Sequence, residues 1–249
     1  MKVIYFDGIK DSPEFIELLK KGNIIIIKKF FNHNVINLLK KSVTLLNKHE
    51  SRWMPFYDNC EDYHRINNEY SKSYARAKTH SFLFHFFKNK NKTLLKLTKK
   101  IWDFKFSLAK INEDQERQKI LEALPSSGYV PRIVAHLYPS GGGYLSKHTD
   151  PVNNLNVIQT LVIGSEYNKD FNNGGLFVYS KSSNKSIFVD EHCEKGDLLL
   201  IDQSFTHEVK PIDNSKKLNW SSLSGRLQYV FIFARSDYLK GKVNEVQQK

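Results

Sequence analysis

Residues 138–150 read Tyr138-Pro139-Ser140-Gly141-Gly142-Gly143-Tyr144-Leu145-Ser146-Lys147-His148-Thr149-Asp150: a strand end, a glycine turn and a second strand that finishes on a His-x-Asp pair. Side chains two apart on a strand share a face, so His148 and Asp150 aim at one point if the chain stays extended through Asp150. Pro151 favours this, because the residue before a proline is biased to extended geometry. Alone, the pair is a weak signal, since a strand histidine is more often simply satisfied in the core or at the surface. With His207, 57 residues beyond Asp150, it becomes two imidazoles and one carboxylate. That set can hold one metal ion and leave coordination positions open.

Around this stretch, short runs of strand type recur between turn signals. They cover residues 132–138, 156–163, 175–179, 186–189, 197–202, 207–210 and 226–234, punctuated by Asn172-Asn173-Gly174-Gly175 and Lys195-Gly196-Asp197. Such spacing indicates a sandwich or barrel. Upstream the texture is helical. Asp11-Ser12-Pro13 with Glu14 reads as a helix start, capped by Asp11 or Ser12, running to Lys20 and stopping at Gly22. Residues 23–28 (NIIIIK) have strand character. Asn32 or Asn34 caps a second helix whose apolar side includes Ile36, Leu39 and Val43. Residues 93–111 show helical spacing, a short helix follows over 113–124, and residues 49–80 are polar and aromatic with no clear period. The expectation is an α+β chain with a mainly-β core. Residues 1–130, mostly helical, buttress a sandwich over 131–235, and 236–249 form a tail, all within one domain spanning 1–249.

Composition narrows the field. At 249 residues, 40% hydrophobic and 26% charged, the chain is ordinary globular protein. No apolar run approaches the roughly 20 residues that cross a bilayer. The start MKVIYFDG, with Asp7 soon after its apolar stretch, does not read as a signal peptide. Cys60 and Cys193 are too few for a disulfide framework or a cysteine-built zinc site, and a reduced, cytoplasmic setting is the default. The net charge of +12 is uneven: residues 1–130 hold 24 Lys+Arg against 14 Asp+Glu (+10), and residues 131–249 hold 14 against 12 (+2). Lys outnumbers Arg 31 to 7, whereas readers of phosphates and base edges lean on Arg. The excess reads as a solvated face, and no nucleic-acid or membrane partner is expected.

Two histidines and a carboxylate are the facial triad of non-haem Fe(II) oxygenases. The chain resembles the Fe(II)/2-oxoglutarate dioxygenase superfamily, closest to its prolyl-hydroxylase-like branch. The resemblance lies in residues 138–150, then Gln159-Thr160-Leu161-Val162-Ile163, Gly174-Gly175-Leu176-Phe177-Val178, Lys195-Gly196-Asp197-Leu198-Leu199-Leu200-Ile201, His207-Glu208-Val209 and Gly225-Arg226-Leu227-Gln228, in the family's order. It implies a double-stranded β-helix (jelly roll), with Fe(II) as metal and 2-oxoglutarate and O2 as co-substrates. It implies His148, Asp150 and His207 as iron ligands, and Arg226 as the anchor of the far carboxylate of 2-oxoglutarate. Tyr138, and Thr160 on the neighbouring strand, are implied as further contacts to that co-substrate. Alternation puts Arg226, Gln228 and Val230 on one face and Leu227, Tyr229 and Phe231 on the other. His136, two before Tyr138, can share its face. The gap from His207 to Arg226 is 19 residues, longer than is usual in that branch, so residues 212–224 read as an inserted loop. Lys210 and Arg235 are weaker anchors.

The implied reaction hydroxylates an unactivated C–H bond and converts 2-oxoglutarate to succinate and CO2. Halogenases of this superfamily lack the carboxylate that Asp150 supplies here, so hydroxylation is expected, although desaturation and cyclisation use the same ligands. A small polar metabolite, such as a free amino acid or natural-product precursor, is the expected substrate. A protein side chain, as in prolyl hydroxylases, is the alternative. The paired-arginine motif of alkylated-base demethylases is missing after Arg226. A non-catalytic jelly-roll binding module is the reading from another class. Residues 52–76 are a candidate substrate lid.

Overall fold

The computed structural model describes residues 1–9, 12–54, 57–71, 73–153, 155–181 and 185–236. The elements follow as β1 (Val3–Phe6), α1 (Ser12–Lys20), β2 (Ile24–Ile27), α2 (His33–Leu46), β3 (Tyr63–Asn68), β4 (Ala77–His85), α3 (Lys92–Leu97), α4 (Lys99–Leu108), α5 (Asp114–Leu121), β5 (Tyr129–Pro139), β6 (Gly143–His148), β7 (Ile158–Ile163), β8 (Gly175–Tyr179), β9 (Ser186–Phe188), β10 (Leu198–Asp202), β11 (His207–Ile212) and β12 (Gly225–Arg235).

The strands hydrogen-bond in the order β1-β2-β10-β7-β12-β5-β4-β6-β11-β8-β9, with β3 added to β4. The ladder turns over at β4, which pairs with β5 over His80–His85 but meets β6 only at Ala77 and Lys78. The strands after the turn therefore face those before it, which is a jelly roll. Period-2 alternation divides the side chains between two cores. Leu161, Ile163, Leu199 and Ile201 meet Leu176, Val178, Val209 and Ile212 between the sheets. Their strand neighbours Ile158, Val162, Leu198 and Leu200 point outward, onto Phe15 and Leu19 of α1, Leu39 and Val43 of α2, and Trp102 and Phe106 of α4. The isoleucines of β2 serve both sides, Ile24 and Ile26 inward and Ile25 and Ile27 toward the helices. An unbroken apolar run is what a strand covered on both faces needs.

The N-terminal part is the expected buttress, but it is less helical than its composition suggests. It contributes β1 to β4 to the sheet, and β3 and the start of β4 occupy residues 49–80, which had no readable period. Its buried polar residues include His64, Asn67, Thr79, His80, Ser81 and His85, which fall on both faces of the hairpin and so hide the alternation. The helix expected over 93–111 breaks into α3 and α4 at Thr98. There the hydroxyl donates to Leu94 O (2.7 Å) and accepts from Trp102 Nε1 (3.1 Å). Asn32, not Asn34, caps α2, its Oδ1 accepting from Val35 N at 3.1 Å. The proposed cap at Asp11 and the tail from residue 237 lie outside the described residues.

The insertion is packed, not loose. Gly141 has φ +99°, and a Cβ there would lie 2.5 Å from the backbone of Leu218, so only glycine lets residues 213–224 lie back on the turn before β6. Asp213 ties the turn down, accepting from Ser140 Oγ (3.0 Å) and the amides of Asn172 (2.8 Å) and Asn173 (3.0 Å). Both cysteines are buried and unpaired, and no helix among the described residues is long and apolar enough to cross a membrane.

Candidate metal centre

Strands β6 and β11 run antiparallel, with His207 directly opposite His148 and their ring centres 4.3 Å apart. Asp150 follows the end of β6 and turns back between them. Its Oδ1 lies 3.4 Å from His148 Nε2 and its Oδ2 3.7 Å from His207 Nε2. One donor atom from each of the three residues lies within 4.8 Å of the others. On the far side of each ring, Nδ1 meets a backbone carbonyl: Ser146 O at 2.7 Å for His148 and Phe205 O at 3.0 Å for His207. A carbonyl only accepts, so each Nδ1 carries the hydrogen and each Nε2 presents its lone pair toward Asp150. Gln159 Nε2 donates to Asp150 Oδ2 at 2.6 Å and fixes the carboxylate plane. Burial works to raise the Asp150 carboxyl, but its polar neighbours, the His148 and His207 rings and the Tyr74 hydroxyl, outweigh it, so the group sits below its ordinary value. Burial likewise pushes the His207 imidazole down. An anionic carboxylate and a neutral imidazole are the forms a divalent cation binds.

The triad opens into a cavity of about 350 Å³. Alternate residues of β5, Arg132, Val134, His136 and Tyr138, line it, as do Gln228 and Val230 of β12. Leu227, Tyr229 and Phe231 go to the helix-side core, so the expected division of β12 holds. Arg226 is on the cavity's side of the strand but is not an open anchor. It is 1% exposed and donates from Nε and Nη2 to the two oxygens of Asp190 (2.7 and 2.8 Å), and from Nη1 to Gln228 Oε1 (2.7 Å). Asp190 also accepts from Leu176 N at 2.6 Å. Gly175, at φ +119°, makes room for it, since a Cβ there would lie 2.5 Å from Asp190 Oδ2. Tyr138 stays beside Arg226, its ring centre 5.8 Å from the guanidinium carbon.

Thr160 is a correction. It lies on the opposite face of β7 from Gln159 and Leu161, fully buried, and its hydroxyl donates to Phe231 O at 3.2 Å. It faces the helices, and the co-substrate role fails because the register of β7 turns its neighbours inward instead. His136 does reach the cavity, with Ser81 Oγ 3.0 Å from Nδ1, and burial pulls its imidazole down to about 4. Lys210 stacks over Phe177 instead (3.9 Å), and Arg235 lines the cavity away from the Arg226 end.

Sequence reasoning missed Gln159, Asp190, Arg65, Arg132 and Tyr74. Gln159 stood in a block already singled out, and only the register could choose it over Thr160. Tyr74 comes from the segment read as a lid, in the turn between β3 and β4. The residue is 73% exposed, while its hydroxyl approaches Asp150 Oδ1 (3.4 Å) and His148 Nε2 (3.5 Å).

No family model and no curated protein matches the sequence. Solved structures do match the fold. A prolyl-4-hydroxylase of Pseudomonas putida superposes with a TM-score of 0.57 at 11% identity, over 90% of this chain and 98% of that one. A prolyl hydroxylase from Trichoplax adhaerens, in complex with a hypoxia inducible factor oxygen degradation domain peptide fragment, gives 0.53 at 15% identity, over 92% and 91%. An oxidoreductase of the 2OG-Fe(II) oxygenase family from Burkholderia pseudomallei gives 0.50 at 10% identity, over 93% and 94%. The chain has the jelly-roll fold of these oxygenases.

Proposed function

We propose that the protein is an Fe(II)- and 2-oxoglutarate-dependent oxygenase that hydroxylates a small polar metabolite, with residues 1–249 acting as one catalytic unit. The observation that carries this is the convergence of His148, Asp150 and His207, with both Nε2 atoms free of hydrogen, at the mouth of a cavity of about 350 Å³. That volume is at the small end of ligand pockets, which suits a metabolite. The donor set fits Fe(II). Bound there with 2-oxoglutarate and O2, the metal supplies an oxidant for unactivated C–H bonds and leaves succinate and CO2.

The chain's own residues do the rest. Gln159 holds the carboxylate ligand in place. Tyr138 and Arg226 take the far carboxylate of 2-oxoglutarate, and the bonds to Asp190 and Gln228 use three of the five guanidinium N–H donors. Asp190 thus acts as a positioning residue, fixing the plane of the anchor in advance. Two buried, unpaired thiols fit a reducing, cytoplasmic setting.

A protein side chain is the second reading, favoured by the exposed ring of Tyr74 beside the triad, over which an extended segment could lie. The test is succinate formation from 2-oxoglutarate in air with Fe(II), without added substrate. Slow turnover that disappears in His148→Ala and in Asp150→Ala supports the proposal. No succinate from the iron-loaded wild type contradicts it and favours the binding module.

A further inference from the structure

Tyr74 reaches the triad from the turn between β3 and β4, and the turn is tied down on both sides of it. Asn67 Nδ2 donates to Ser73 Oγ at 3.1 Å, and Ser146 N of β6 donates to Arg76 O at 2.8 Å. The Tyr74 ring meets His148 edge to face, with ring centres 5.4 Å apart and planes at 72°. Its Oη lies 3.5 Å from His148 Nε2 and 3.4 Å from Asp150 Oδ1, and those two atoms are themselves 3.4 Å apart.

Hydrogen bonding accounts poorly for this triangle. Nδ1 carries the His148 ring hydrogen, so Nε2 and the carboxylate oxygen are both acceptors, and the phenol has one hydrogen for the two of them. Hydroxyl hydrogen bonds are about 2.5–3.0 Å long, shorter than either contact. Donor atoms around one metal ion are spaced differently. Bonds of about 2.0–2.2 Å, at angles from octahedral to tetrahedral, put neighbouring donors about 2.8–3.6 Å apart. Tyr74 Oη stands at that spacing from two of the triad's donors, as those two stand from each other. A tyrosine oxygen is a competent iron ligand, as some haem proteins show.

We propose that Tyr74 is a fourth protein ligand of the metal centre, its phenol oxygen closing one of the positions the triad leaves open while no substrate is bound. This rests on the metal centre of the oxygenase reading and adds a ligand to it. As the metal–oxygen bond forms, the O–H bond breaks and the proton leaves to solvent. Of the six positions around an octahedral ion the triad takes three and a chelating 2-oxoglutarate two, so a tyrosine ligand fills the last. Tyr74 must therefore withdraw before O2 can react, and its exposed position on a turn gives it solvent to withdraw into.

The experiment loads the whole protein anaerobically with one equivalent of Fe(II) and no 2-oxoglutarate. One equivalent of a ferrocenium salt then takes one electron from each iron, and small molecules are removed by gel filtration. A phenolate on Fe(III) gives an intense visible charge-transfer band, with tyrosine ring modes enhanced in resonance Raman, which imidazole and carboxylate ligands do not give. The expected result is that signature in the wild type, its loss in Tyr74→Phe, and its retention in Tyr138→Phe, which alters a second tyrosine lining the cavity. Bound iron, measured by elemental analysis, and the melting temperature should be the same in wild type and Tyr74→Phe, because the substitution removes one oxygen from an exposed residue. Wild type that holds iron without the signature, or a signature that survives in Tyr74→Phe, overturns the proposal and leaves the triad standing. A wild type that takes up no iron overturns it together with the metal centre.

Discussion

Gln159 and Arg226 show how single side chains divide the work. Gln159 touches the proposed ligand Asp150, and its 2.6 Å bond sets where that carboxylate points. Outer partners of this kind typically contribute 10- to 100-fold in metal affinity. Gln159→Leu should therefore lower Fe(II) affinity by about that factor at an unchanged melting temperature, and equal affinity in a titration would contradict the geometry. Arg226 is different, because removing it leaves Asp190 buried and charged. Arg226→Ala should cost about 3–5 kcal/mol of stability, so its failure to bind 2-oxoglutarate would report unfolding as much as a lost anchor. Tyr138→Phe separates the two. Weaker 2-oxoglutarate binding with wild-type melting is the expected result, and unchanged affinity would remove Tyr138 from the site. Arg226 was readable from its place after Gly225, but Asp190 was not. The two residues are 36 apart in sequence, and no local pattern announces that the segment after β9 folds beneath β12.

The β3–β4 hairpin is where reading by hydrophobicity failed, for a physical reason. Imidazoles, amides and hydroxyls are buried on both its faces among aromatic and aliphatic side chains. His64 Nε2 and His80 Nδ1 share a hydrogen bond of 2.8 Å, the His64 ring stacks on Phe82, and Trp220 of the inserted loop leans on His80. By contrast β5, β7, β10 and β12 announce themselves with aliphatic and aromatic residues, and their boundaries in sequence and structure nearly coincide. The hairpin's polar core has a consequence for stability. Burial lowers His64 to about 4 and His80 to about 3, against about 6.5 in an unfolded chain. Between those values the unfolded state binds more protons, so stability is full above about pH 6.5 and is lost as the pH falls. Each ring should cost about 2 kcal/mol by pH 5. Urea unfolding at pH 7.5 and pH 5 checks this. A flat profile would mean that the rings are solvated or gain a counter-charge on protonation.

At the scale of the whole molecule, the fold brings His148, Asp150 and His207 to one cavity between two sheets, with the buried Arg226–Asp190 pair beside its Tyr138 wall. The order of the blocks made the jelly roll and the triad legible, because His148, Asp150 and His207 sit at strand ends whose pairing the motif spacing implies. The opposite wall of the cavity was not legible, since its residues on β3, β4 and β5 become neighbours only through the pairing of those strands. The proposed oxygenase activity requires that the triad hold Fe(II) with 2-oxoglutarate beside it. The most direct measurement is anaerobic titration of the metal-free protein with Fe(II) and 2-oxoglutarate, monitored for the weak visible charge-transfer band of the chelate. A band that saturates at one equivalent in the wild type and is absent from Asp150→Ala is the predicted result. A wild type that binds Zn(II), or no metal, and gives no band would contradict it.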